Sequence, residues 1–355
     1  PKIWEITIKN SVPDFGIINS VTLGIYLFTM VLIGFYFARK NKNTDDYFRG
    51  GQKIPWWAAA CSIFATMLSS ITYMAIPAKA FATNWEFLIA YPIILIVSIF
   101  VIKYILPFFR KIDATSAYEY LEMRFNQTTR MIASALFIVF QIGRMAIVMF
   151  LSALALSTIT PLTPVQSILI MGILSIIYST LGGVEAVVWT DTIQTFVLLG
   201  GALLVCGWIF FHFTGGIGEF FTIASAHNKF HMINWDWSSG SYMTAAFWII
   251  VLGAFGQNMI SYASDQAVIQ RYMTTSDEKK AAKSILTNGI MSQFAGLLFF
   301  TIGTALFVFY KQNPQSLDPT FKTDAILPLF IVCELPVGIS GIIIAGIFAA
   351  AQSTI

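Results

Sequence analysis

The chain has 355 residues, 57% of them hydrophobic and only 11% charged, where a soluble domain carries about a quarter charged residues. With a mean hydropathy of +0.73, this composition excludes a soluble domain and describes a polytopic membrane protein. The formal net charge of +3 comes mainly from the segments between apolar runs, so it carries no message about nucleic acid.

Long apolar runs occupy 16–38, 56–82, 86–109, 131–157, 164–181, 186–213, 242–263, 284–310 and 336–355. Each is long enough, or nearly so, to cross about 30 Å of hydrocarbon as a helix, which predicts about nine spans in a single transmembrane domain, 1–355. The N-terminus lacks a signal-peptide pattern. Segments 39–53, 110–130 and 264–283 hold five, four and four Lys or Arg, while the alternate gaps hold none to two. Basic loops stay on the cytoplasmic side, so the N-terminus is expected outside. Two outer gaps, His212 to Trp237 and Lys311 to Pro336, are long and aromatic-rich and are expected to anchor at the interface and form a lid. His227 and His231 have i, i+4 spacing, but no carboxylate or thiol motif accompanies them, so no metal site is expected. Cys61, Cys206 and Cys333 are dispersed and give no disulfide framework. The last run stops at Ile355 without a polar exit or cap. A helix ending there would leave carbonyls unpaired at membrane depth, so further helices are expected beyond it.

The chemistry concentrates in four places. The second run, AAACSIFATMLSSITYMAIPAKAF, is rich in hydroxyls, and Ser62, Thr66, Ser69 and Ser70 share one helical face. Pro77 frees the carbonyl of Tyr73, and Ser and Thr compete for backbone hydrogen bonds. A broken helix is expected, its freed carbonyls holding a cation and its half-helix ends facing a solute. The plain alternative is a tilted, hydroxyl-lined packing helix. The last run carries two stripes of small residues, Gly341, Ala345, Ala349, Ser353 and Gly346, Ala350, Thr354. Such stripes allow close packing, and the Ala350 carbonyl with the Ser353 and Thr354 hydroxyls makes a neutral oxygen set suited to a monovalent cation.

Asp191, in the sixth run, shares a face with Gln194 and Thr195, and Gly182–Gly183 mark the turn before it. An acid inside the membrane needs a partner, a proton or an ion; otherwise Asp191 is an acid of the cytoplasmic interface. Arg144 is the most isolated charge. It lies mid-way along a 27-residue apolar stretch, while 18 of the 21 Lys and Arg lie in gaps or the N-terminal segment. Lys79 and Lys103 lie near run ends, where their side chains can snorkel. A guanidinium near the bilayer centre costs several kcal/mol unless it meets water, a partner or a ligand. Arg144 therefore reads as the counter-ion of an anionic solute, or as a structural residue satisfied by backbone carbonyls.

The stretch LGGVEAVVWTDTIQ, Leu181 to Gln194, resembles the signature of the sodium/solute symporter family. DYFRGG (46–51), ATMLSSITYMAIPAKAF (65–81), FFRK (108–111), TSAYEYLEMRF (115–125), IFAAAQS (347–353) and the QIGRMAIV around Arg144 resemble its bacterial sialic acid branch. The resemblance runs along essentially the whole chain. It implies an all-α, leucine-transporter-type fold: an extra helix at 16–38, a first five-helix repeat over 56–213, and an inverted second repeat from 242, incomplete at Ile355. It implies a sodium site built from backbone oxygens of Ala65, Leu68 and Ala350 with the hydroxyls of Ser353 and Thr354, a position where relatives often carry serine. A second sodium site would use Asp191, Ser353 and serines beyond Ile355. The solute would touch Thr66, Ser69, Ser70, Thr72, Phe87 and Arg144, with Tyr91 standing where these symporters can carry glutamine.

The implied activity is sodium-coupled import of sialic acid (N-acetylneuraminic acid) by alternating access. The implied protein is not an enzyme. It is a monomer in the bacterial cell membrane, inner or plasma, with sodium, an anionic sugar and lipid as its partners and no nucleic acid. A monocarboxylate, proline or a neutral sugar are the alternative solutes. An ion channel or a membrane enzyme are the alternative classes, but the sequence holds no re-entrant filter motif and no intramembrane metal cluster.

Overall fold

The computed structural model describes residues 15–40, 43–111, 117–157, 160–213, 215–238, 245–317 and 323–354. Residues 242–244 of the seventh predicted span, 115–116 of the TSAYEYLEMRF stretch and Ile355 lie outside them. Among the described residues the regular structure is helical: α1 Gly16–Lys40, α2 Thr44–Arg49, α3 Trp56–Met67, α4 Ser70–Ala82, α5 Ala90–Phe100, α6 Leu106–Lys111, α7 Ala117–Arg124, α8 Gln127–Ser157, α9 Pro164–Phe211, α10 Gly216–Ala226, α11 Phe247–Ala263, α12 Gln266–Met273, α13 Glu278–Gln312, α14 Ile326–Cys333 and α15 Ile339–Gln352. A π turn, Val101–Ile105, joins α5 to α6 as one span. Five helices are long and apolar enough to cross a membrane, and the bent pair α3–α4 makes a sixth; α11 and α15 are shorter apolar helices.

The predicted run 164–181 and all but the last two residues of 186–213 fall in α9, interrupted at Gly183 (φ 62°, ψ −164°), a conformation essentially open only to glycine. Ser175 and Asp191 would stand about 24 Å apart along a straight helix, yet both line one cavity of about 200 Å³. The chain therefore folds back at Gly183, as the glycine pair predicts.

The second predicted span is broken, but not at the proline. Pro77 lies within α4. The break is at Leu68–Ser69, where Leu68 is extended (φ −96°, ψ 102°) and the two halves meet at 61°. The Ser69 hydroxyl accepts from the Thr72 N–H at 3.2 Å, satisfying one of the free donors at the start of α4. A capping hydroxyl thus sets the break. Because the helix stops there, the four hydroxyls predicted on one face part company.

A second break follows α11. Residues 264–283, expected as a basic surface loop, contain α12, whose Val268, Ile269 and Tyr272 are buried in an apolar cluster with Ile63 of α3. Asp265 caps it by accepting from the Ala267 N–H at 2.9 Å. Arg110 closes its far end, Nη2 donating to the carbonyls of Tyr272 (3.2 Å) and Thr275 (2.9 Å). Hydropathy misses this segment because internal partners, rather than apolar composition, make its burial tolerable.

The buried centre is formed by α13, which packs on α3, α4, α5 and α9, and by α15 against α1 and α9. Lys229 donates to the carbonyls of Phe81 (2.6 Å) and Thr83 (2.8 Å) at the end of α4, tying the segment after α10 to the broken helix. The i, i+4 relation of His227 and His231 is not helical, since α10 ends at Ala226 and Asn228 has φ +54°.

Gly303 lets α4 lie directly on α13: a methyl group there would strike the Pro77 carbonyl oxygen and come within 2.7 Å of Ala80 Cβ. Gly303→Ala is expected to cost about 1–3 kcal/mol of stability through overpacking, read as a lowered melting temperature in detergent. Gly24→Ala, whose added methyl meets nothing within 4 Å, is expected to melt near the wild type.

Candidate functional site

A helix end leaves its last four carbonyls without intrahelical partners; in α3 the ladder closes at Phe64, and the next two carbonyls find partners in other elements. Phe64 O accepts from the Leu68 N–H at 2.9 Å. Ala65 O accepts from the Ser353 hydroxyl at 2.8 Å. Thr66 O accepts from Arg144 Nη2 at 3.2 Å. The break thus turns one carbonyl towards the end of α15 and the next towards α8.

The first destination is an oxygen cluster. Ser353 Oγ also lies 3.2 Å from Ala350 O, and Thr354 Oγ1 donates to the same carbonyl at 3.2 Å. Ala65, Leu68, Ala350, Ser353 and Thr354 are all buried, and Leu68 sits at the break itself. The set is neutral, the donor chemistry that holds a monovalent cation.

The second destination is a cavity of about 1390 Å³, lined by Thr66, Leu68, Thr72, Phe87, Tyr91 and Arg144. Two predicted solute contacts are not in its wall. Ser69 is occupied in capping α4, and Ser70, fully buried, pairs with Ser152 of α8. Lys79 is also a lining residue, its ammonium 5.1 Å from the Phe87 ring centroid, where the sequence predicts only snorkelling. Tyr91 packs on Phe300 at 6.4 Å between ring centroids.

The sequence reading misses the contribution of α11 and α12. Gln257, Asn258, Ser264 and Asp265 line the cavity, and Asp265 Oδ2 lies 3.4 Å from Arg144 Nη1. Arg144 is therefore satisfied by a carboxylate as well as a carbonyl. The available signal was the polar series Gln257, Asn258, Ser261, Ser264, Asp265, which breaks the apolar pattern of that run.

Asp191 is 0% exposed, so its carboxylate meets protein groups and not solvent. Its Oδ2 accepts from the Ser62 hydroxyl at 2.5 Å and from Arg271 Nη2 and Nε at 3.2 and 3.3 Å. Arg271, expected in a cytoplasmic loop, is the counter-charge. Asp191 Oδ1 is buried and takes no hydrogen bond among the described residues. Asp191, Arg271, Tyr178, Gln352 and Ser353 share the cavity of about 200 Å³, which brings the two predicted members of a second cation site to one place.

The model of the sodium:solute symporter family matches residues 47–355. The chain belongs to the sodium:solute symporter family. It is 46% identical over 343 residues to the sodium/sialic acid symporter of Proteus mirabilis, covering 96% of this chain and 68% of the relative. It is 41% identical to the sodium/sialic acid symporter of Aliivibrio fischeri, covering 96% and 67%. A solved structure of a Na+-coupled sialic acid symporter, in a substrate-bound outward-open state with a novel Na+ site, is 45% identical and superposes with a TM-score of 0.90 over 96% of this chain and 71% of that one. The chain thus spans about two thirds of the length of these relatives. It is a multi-pass membrane transport protein of the leucine-transporter-type fold, coupled to sodium and not an enzyme.

Replacing Ser353 and Thr354 together with Ala removes two hydroxyl oxygens from a cluster that has no carboxylate of its own. The sodium concentration for half-maximal uptake in proteoliposomes is expected to rise by about tenfold or more, each lost oxygen being worth on the order of 1 kcal/mol. Unchanged sodium dependence would place the cation elsewhere.

Proposed function

We propose that this family member imports sialic acid with sodium by alternating access. The observation that carries the reading is Arg144: a guanidinium on the wall of a large cavity, held where two broken helices meet. Its planar donors match a carboxylate in a two-pronged pair, and the sialic acid symporters that the chain is similar to supply the substrate class. Thr66, Thr72, Phe87 and Tyr91 would surround the sugar, and Ser69 and Ser70 would act through the geometry of the break. Tyr91 offers one hydroxyl where relatives can carry an amide, so it would hold the polar tail of the sugar by a single bond. That residue is also the observation that favours a less hydroxylated anion, such as a monocarboxylate, as a second reading.

Sodium among Ala65, Leu68, Ala350, Ser353 and Thr354 would join the end of α3 to the end of α15. The cation would fix the carbonyls of the break, and with them Thr66 beside Arg144, so that sodium and solute strengthen each other's binding reciprocally. Inward movement of sodium contributes about 2.3 kcal/mol per charge per 100 mV of membrane potential. A second sodium would use the free Oδ1 of Asp191 with Ser353. A broken span followed by an unbroken one occurs twice, α3–α4 then α5–α6, and α11–α12 then α13. This order supports inverted repeats over 56–213 and from 242, and the basic segments 39–53, 110–130 and 264–283 support an N-terminus outside the bacterial cell membrane.

Arg144→Lys keeps the charge but loses the planar pair of donors, so sialic acid affinity at saturating sodium is expected to fall about tenfold or more by calorimetry; Arg144→Ala is expected to abolish uptake. The wild type is expected to bind the carboxyl-reduced sugar far more weakly than the acid. Equal affinity for the two ligands would make Arg144 a structural residue.

Asp191→Asn retains an acceptor for Ser62 while removing the charge. If Asp191 serves a second sodium, the Hill coefficient for sodium drops towards one while sialic acid affinity at saturating sodium stays within about twofold. A Hill coefficient unchanged from the wild type rejects that role.

A further inference from the structure

Arg144 stands on α8, and its two acceptors stand at the two breaks: Thr66 at the end of α3 and Asp265 at the start of α12. Its terminal nitrogens are divided between them, Nη2 to the carbonyl and Nη1 to the carboxylate. The contact with Asp265 is 3.4 Å, long against the 2.7–2.9 Å typical of a charge-assisted bond. The arginine side chain is 26% exposed and the aspartate side chain 12%, both on the wall of the same cavity. The carboxylate of Asp265 and that of an acidic solute are the same ligand chemistry competing for one guanidinium.

The two oxygens of Asp265 have separate duties. Oδ1 accepts from Ala267 N–H and caps α12, while Oδ2 faces Arg144. Six residues further along, Arg271 is bound to Asp191 of α9. The half-helix α12 is thus tied to α8 through its acid and to α9 through its base, and an anion is the ligand that can undo the first tie. Resting on the reading of Arg144 as the carboxylate receptor, we propose that Asp265 is a built-in occupant of the carboxylate subsite: it holds Arg144 until the solute replaces it, and the exchange frees the start of α12 from α8. Solute binding would then act directly on the inner half of the second broken helix, with no relay through intervening side chains.

Asp265→Asn separates the two duties, because asparagine caps helices as well as aspartate while its amide nitrogen cannot accept from Arg144. N-acetylneuraminic acid and its carboxyl-reduced analogue would be titrated by calorimetry into the wild type and the variant, at saturating sodium in detergent. Affinity for the acid is expected to rise about 2- to 5-fold, the scale of a partly exposed ion pair, with affinity for the analogue unchanged. Asp265→Ser, which also keeps a capping oxygen, is expected to repeat the gain. Unchanged or weakened binding of the acid by variants that melt like the wild type overturns the proposal, as does failure of both variants to fold, which would make Asp265 structural. Failure of the underlying reading has its own signature: the wild type binding the acid and the analogue equally.

Discussion

The rest of this structure depends on the interruption of one helix at Leu68–Ser69. Inside a membrane a backbone carbonyl without a partner costs several kcal/mol, so a helix can stop there only where other groups receive its ends. The hydroxyl of Ser353 receives Ala65, the guanidinium of Arg144 receives Thr66, and the hydroxyl of Ser69 restarts the ladder as α4. Each of these groups belongs to a different element. The break therefore fixes where α15 and α8 must approach, and it sets the oxygen cluster and the large cavity one residue apart in the chain. The coupling proposed between sodium and solute rests on that adjacency, because neither carbonyl can be moved without moving the other.

Charge inside the protein follows the same economy. Asp191 is fully buried, yet it meets Arg271 and Ser62, and Arg144 meets Asp265. The two pairs are opposite in sense along α12, whose acid faces a base on α8 and whose base faces an acid on α9. Buried pairs of this kind seldom repay their desolvation as stability. Under the proposed function their value lies in exchange: Arg144 would trade Asp265 for an anionic solute, and Asp191 would offer its second oxygen to a cation while Arg271 keeps it satisfied.

Most of the segment 56–213 was legible from the residues. The apolar runs gave the spans, Gly182–Gly183 gave the reversal within α9, and the hydroxyl-rich second run gave a broken helix. The oxygen cluster of Ala65, Ala350, Ser353 and Thr354 was reached from the stripe of small residues and from family resemblance. The position of the break was not legible: Pro77, a strong sequence signal, lies inside α4, and the helix stops instead at Leu68. Ser70 was assigned to the solute through the family resemblance; with the helix stopped at Leu68, its hydroxyl meets Ser152 instead.

The chain by itself determined that it spans a membrane, where it crosses, and that Arg144 and Asp191 must have partners, since the cost of an unpaired charge in hydrocarbon follows from composition alone. Only the tertiary structure decided which partners. Asp265 and Arg271 lie 121 and 80 residues away in a segment whose polarity reads as a surface loop, and nothing in local periodicity distinguishes a solvated polar turn from a half-helix whose polar groups are satisfied from within. That distinction depends on contacts between distant elements, so it emerges only when α3, α8, α9 and α12 are packed together.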